Sequence, residues 1–230
     1  MKQRIHSLRT WLAAHYAWFG IAGSLLVSLT TLITAIAYRG FDGLPYSFLN
    51  HYISELGYIG PSELAPLFNA GLIAGGVLFL PFVIGLGLYL PGWLSKLGIL
   101  AGVFASVNCS LVGVFPMNRI AIHGPVAMNY FRGGLVTVLL FGLAILLQPK
   151  KRVVLPKTTA LASLFAVLCF AAFLVYIQVD EDLSLNILSS SGGRPTVWLK
   201  TVLEWLVFFS TLVWFLVIGL TGLPHKKKAG

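Results

Sequence analysis

The sequence predicts an all-α integral membrane protein, a bundle of six transmembrane helices with both termini in the cytoplasm. Composition, the spacing of apolar runs and the distribution of basic residues lead there. Of 230 residues, 57% are apolar and 10% are charged, far from the make-up of a water-soluble domain of this length. A helix that crosses a hydrocarbon core of roughly 30 Å needs about 20 mostly apolar residues and closes its backbone hydrogen bonds within itself. Such runs fill the chain, so residues 1–230 read as a single transmembrane domain.

The first run, Tyr16 to Tyr38, follows Lys2, Arg4 and Arg9. Ala35-Ile36-Ala37 has the form of a signal-peptidase site, but the apolar run is about twice a typical signal-peptide core, which predicts a retained anchor. The second and third runs, Leu64 to Leu90 and Leu97 to Phe115, are joined by the short connection carrying Lys96 and are therefore antiparallel neighbours. The fourth, fifth and sixth are Pro125 to Leu147, Thr158 to Ile177 and Trp198 to Gly222.

Orientation follows from the basic residues, because short loops rich in Lys and Arg stay cytoplasmic. Lys2, Arg4, Arg9, Lys96, Lys150, Lys151, Arg152, Lys157, Lys226, Lys227 and Lys228 fall on one side; Arg39, Arg119, Arg194 and Lys200 fall on the other. The acids Asp42, Glu55, Glu63, Asp180, Glu181 and Asp182 also lie on that second, outer side. The net charge of +9 is thus a topology signal of a plasma-membrane protein. No nucleic-acid motif accompanies the basic residues, and anionic inner-leaflet lipid is the expected electrostatic partner. Cys109 and Cys169 both fall inside predicted helices; they read as packing residues, with a contact between helices three and five as the alternative.

Polar side chains inside a span are costly and face the bundle interior. Counting 1.5 Å per residue from the outer helix ends puts Asn69, Asn108, Ser110, Asn129, Arg132 and Glu204 roughly 6 to 11 Å deep, all in the outer half. The inner halves of helices two, four and six carry no ionisable residue. Arg132 and Glu204 are natural candidates for an ion pair; alternatively Arg132 snorkels to lipid phosphates. Each asparagine alone reads as interhelical glue, while together they argue for a shared cavity open to the outside.

The outer loops add His51, Ser54 and Glu55, in a segment that has the form of a short helical turn ending at Gly57, and His123 between helices three and four. Four residues apart, His51 and Glu55 would share a face, and with His123 they could form a two-His-one-carboxylate set or an acid/base set. The competing reading is hydrogen-bonded structural residues, with the Ser54 hydroxyl satisfying local backbone. No metal-binding, nucleophile-elbow or phosphate-loop motif is present, and no cofactor is implied. Asp180, Glu181 and Asp182 read as a solvated loop, and Ser189 to Gly193 as flexible linker.

Three short motifs, Ile53-Ser54-Glu55-Leu56-Gly57, Phe68-Asn69-x-Gly71 with Gly75, and Gly113-x-Phe115-Pro116 followed by His123, resemble those of the DUF 998 family of bacterial and archaeal six-helix membrane proteins. That family is similar to DRAM-like proteins and to the N-terminal part of Cwh-type proteins. The resemblance marks Ser54, Glu55, Asn69 and His123 as motif positions and implies lipid without implying a reaction. The expectation is therefore an outward-facing polar cavity that binds a lipid head group or small amphiphile, with Arg132 as a phosphate contact. Lipid chemistry using His51, Glu55 or His123 stays open. The alternatives are a small transporter or channel, with Arg132 and Glu204 as pathway residues, and a non-catalytic accessory subunit; protein partners are not indicated.

Overall fold

Helices whose side chains are apolar on every face leave the inside of a bundle to be decided by size and by the few polar groups, and here small residues mark the contacts. The computed structural model describes residues 2–40, 43–179 and 194–223, with side chains from His6 onward. Asp42, Asp180, Glu181, Asp182, the stretch 189–193 and Lys226, Lys227 and Lys228 lie outside the described residues.

The helices are α1 (Lys2–Ala37), α2 (Ala65–Tyr89), α3 (Leu94–Val114), α4 (Ile120–Leu146), α5 (Ala160–Val179) and α6 (Leu199–Gly222). All six are long and apolar enough to cross a membrane, and no strand is present among the described residues. Each packs against its neighbours in sequence, and α6 returns to α1, which closes an antiparallel ring. The outward faces carry exposed large apolar side chains such as Ile36, Leu100 and Leu161, the surface that lipid tails cover.

Three helices start earlier than the apolar runs do, α3 by three residues at Leu94 and two others by more. The first begins at Lys2 instead of Tyr16, because a helix continues past the hydrocarbon wherever its residues tolerate it, and the stretch from Lys2 to His15 contains neither Gly nor Pro. The fourth begins at Ile120, five positions before Pro125. A proline in the second turn sacrifices one bond to the carbonyl four residues back, here at the exposed Ala121, so the helix runs through it.

Between α2 and α3 the backbones approach until only a hydrogen fits. A Cβ on Gly113 would stand 2.4 Å from the Asn69 carbonyl oxygen. Toward the end of the bundle where α1 begins, the interior is filled by aromatic rings: Phe79 stacks on Phe215 at 3.9 Å between centroids, and Phe82 and Trp214 pack edge-on beside them. At the same end Gln148 closes the α4–α5 connection. Its amide donates to Ile145 and Leu155 carbonyls and accepts from the Val154 and Leu155 amides.

Gly113→Leu should force the α2–α3 contact apart and cost about 1–3 kcal/mol. Thermal unfolding in detergent, followed by loss of the monodisperse peak, checks this; an unchanged midpoint would contradict the close approach.

Candidate functional site

The connection from α1 to α2 is tucked into the opposite end of the ring. Residues Ile53–Gly57 form a single 3₁₀ turn, and Glu55, Leu56 and Gly57 are buried. A turn placed there brings main-chain groups away from water, so each needs a partner. The Glu55 carboxylate reaches back to the Tyr52 amide at 2.8 Å and closes the turn on itself. The Arg194 guanidinium grips the same carboxylate through two bonds of 3.0 and 2.5 Å and also donates to the Asn50 carbonyl at 3.0 Å. Glu204 on α6 accepts the Ile53 amide at 2.9 Å. Asn69 on α2 donates to the Gly57 carbonyl at 3.0 Å, and a Cβ on Gly57 would lie 2.3 Å from the Asn69 side-chain oxygen. Asn118, ahead of α4, pairs both ways with the Ile59 backbone at 2.9 Å.

Tyr46 and Trp205 form the other wall of this cap. The Tyr46 hydroxyl donates to the Tyr52 carbonyl at 2.7 Å and receives the Trp205 indole N–H at 3.1 Å. Burial, reinforced by the Glu204 and Glu55 carboxylates, pushes the Tyr46 phenol well above its ordinary pKa and keeps that donor in place.

Below the turn the ring is not filled. A vestibule of about 560 Å³ opens between α4, α5 and α6, and its lining includes Ser54, His123, Arg132, Gln178, Lys200 and Glu204. Beneath it lies a chamber of about 70 Å³ with an almost wholly apolar wall that includes Phe68, Leu72, Cys109 and Phe208. Ser54, His123, Ala127, Phe131 and Glu204 line both spaces and form the neck between them. A further void of about 30 Å³ shares Phe79, Cys109, Tyr130 and Thr211 with the chamber and ends at Trp214 and Phe215. The cavity is therefore polar at its mouth, apolar at depth and closed by the aromatic plug.

Several sequence expectations change in this geometry. Arg132 and Glu204 both line the vestibule but form no ion pair; the one salt bridge among the described residues is Arg194–Glu55. Glu204 finds a neutral main-chain donor instead, and Arg132 is exposed where it lines the vestibule, long enough to carry its charge toward water. His51, Glu55 and His123 do not form one set. His51 precedes the turn, bonds to Asn50 at 2.7 Å and packs on Tyr46 and Tyr38, whereas His123 is on α4 facing the cavity. No group of three His, Cys, Asp or Glu side chains that could hold a metal ion occurs among the described residues.

Ser54 donates to the Met117 sulfur at 3.3 Å, not to local backbone. Asn69 and Asn108 are buried but turned to carbonyls, Asn108 to Phe104 on its own helix, and neither they nor the half-buried Asn129 line the three spaces. Both cysteines are free; Cys109 faces the Leu72 carbonyl of α2. Arg194 and Lys200 carry parts that sequence reasoning did not assign to them. Lys200 is buried, its ammonium 4.5 Å from the Trp198 ring centroid, one turn above Glu204 on α6.

Six apolar helices in an antiparallel ring, capped at one end over an internal cavity, have the make-up of an integral membrane protein. More narrowly, the model of the family described as "Protein of unknown function (DUF998)" matches residues 21–221, and the chain belongs to that family. No curated protein and no solved structure matches it.

Because Glu55 is 2% exposed, Arg194→Ala strands a buried carboxylate and should cost about 3 kcal/mol or more, while Arg194→Ala combined with Glu55→Gln should recover part of that loss. Thermal midpoints of the two single variants and the double variant test the coupling; additive losses would show that the pair does not act as a unit.

Proposed function

We propose that the vestibule binds the phosphate-bearing head group of a membrane lipid or a small amphiphile of the same kind, with the apolar part of the ligand against the apolar walls of the vestibule. The observation that carries this reading is the order of surfaces along one continuous cavity. Arg132 and Lys200 stand at the mouth, and apolar walls follow. A guanidinium and an ammonium at the edge of a hydrocarbon slab suit a phosphate, which needs charge-assisted donors where water is scarce. The ligand-efficient part of such a site is concave and mostly apolar with few polar groups, and this lining has that make-up.

Passage of a solute through the ring is the less supported reading. Phe79, Phe82, Trp214 and Phe215 occupy the bundle interior beyond the chamber, and a transported solute would have to displace packed aromatic side chains. Under the positive-inside rule, the bundle end carrying Lys96, Lys150, Lys151, Arg152 and Lys157 faces the cytoplasm. Both termini are then cytoplasmic, and the vestibule serves the outer leaflet of the plasma membrane.

Native mass spectrometry of the protein extracted in mild detergent, with analysis of the extracted lipid, tests the reading. A defined lipid should accompany the wild type and be depleted in Arg132→Ala and in His123→Ala. Absence of bound lipid from every sample, in protein that remains folded, would redirect attention to transport or to an accessory role. Orientation is tested separately: Glu63→Cys, at an exposed position of the same connection and in a variant lacking Cys109 and Cys169, should react with a membrane-impermeant maleimide in intact cells, and Lys151→Cys should react only after lysis.

A further inference from the structure

The neck between vestibule and chamber presents acceptors. His123 places Nδ1 2.7 Å from the Phe115 carbonyl oxygen. A carbonyl can only accept, so Nδ1 carries the hydrogen, and in the neutral ring Nε2 is then an acceptor on a residue that lines the cavity. The Met117 thioether likewise can only accept, so Ser54 spends its proton there and keeps its oxygen lone pairs. Glu204 uses one carboxylate oxygen for the Ile53 amide. Its second oxygen has no hydrogen-bond partner among the described residues, although the residue is 6% exposed and lines both spaces. Three acceptors from α4, α6 and the Ile53–Gly57 turn thus surround one neck, with cationic Arg132 and Lys200 along the vestibule beside it.

A ligand complementary to this arrangement carries a donor-rich cation next to an anion. We infer that the site recognises a phosphoethanolamine head group, the primary ammonium seated among Glu204, His123 and Ser54 and the phosphate on Arg132 and Lys200. This rests on the lipid-site reading and names its ligand class. A primary ammonium has three N–H donors for the three acceptors, and it compensates the buried Glu204 carboxylate, which a hydroxyl does not. A quaternary ammonium has no N–H to donate, and a serine head group would bring its own carboxylate toward Glu204. Four bonds separate nitrogen from phosphorus in the head group, and Lys200 and Glu204 stand four residues apart on α6, a rise of about 6 Å.

The test is competition on the delipidated full-length protein with equimolar phosphatidylethanolamine, phosphatidylglycerol and phosphatidylcholine of identical acyl chains, read by native mass spectrometry. The wild type should retain phosphatidylethanolamine in preference to both others by at least about ten-fold. Glu204→Gln still accepts the Ile53 amide, so the cap persists; this variant should lose the preference while keeping phosphatidylglycerol through Arg132. Ser54→Ala should weaken the preference in a protein with an unchanged thermal midpoint. Equal retention of the three lipids by the wild type, or an undiminished preference in Glu204→Gln, overturns the inference and leaves a lipid site of other specificity. No retained lipid of any kind overturns the broader reading as well. Soluble O-phosphoethanolamine should displace the lipid only in large excess; displacement at equal concentration would overturn lipid as the source of the head group.

Discussion

Glu55 carries a carboxylate at 2% exposure inside the end of an apolar bundle, and the rest of the site depends on how that charge is matched. Removing an ion from water costs several kcal/mol and is tolerated only where its partner and its remaining lone pairs are satisfied. Here one oxygen serves the Tyr52 amide and both serve Arg194, so the turn, the start of the α6 segment and the Asn50 carbonyl are tied through a single group. A bidentate guanidinium fixes direction as well as distance, which a lysine would not. The turn is held at its other end by Asn69 and flanked by Asn118, so that it spans the ring instead of resting on its rim.

That placement makes the cavity. With Ile53 and Ser54 lowered into the ring, their side chains become part of the chamber wall, and the Ile53 amide draws the Glu204 carboxylate into the neck. Glu204, which forms no ion pair among the described residues, is met there by a neutral main-chain donor that uses one of its two oxygens. The contrast between the two carboxylates is instructive: Glu55, fully engaged, is structural, whereas Glu204, partly engaged, faces the cavity. Sequence alone, which places both on the same side of the membrane, has no means of assigning these roles.

Much of the fold is legible in the sequence because an apolar run of membrane-spanning length has no other stable destination. The C-terminal ends of α2 and α4 lie within a residue of the expectation. The starts of α1 and α4 are not legible, since an apolar run ends where its hydrophobicity does while a helix ends where its backbone must, and the segments before Tyr16 and around Pro125 remain helical. Depth counting from helix ends says nothing of azimuth, so it has no means of deciding whether Arg132 and Glu204 pair; both line the vestibule and form no ion pair. The Arg194–Glu55 pair is hidden for a different reason. The partners are 139 residues apart with no periodicity linking them, and a carboxylate in a loop looks solvated until the loop is known to enter the bundle.

The bundle's two ends obey different packing rules, and the difference bears on what the cavity can do. Glycines such as Gly113 let α2 and α3 touch backbone to backbone, which on its own would leave a narrow ring with little space inside. Toward the end where α1 begins, bulky rings take up what space there is; toward the capped end, polar side chains are drawn aside to hold the turn and the space stays open. Dry aromatic packing resists small displacements because its contacts are lost steeply with separation, whereas a cap held by a few hydrogen bonds opens locally at lower cost. Local rearrangement is therefore easier at the capped end, where the Arg194–Glu55 clasp bridges the turn to the segment before α6, than among the stacked rings at the other end.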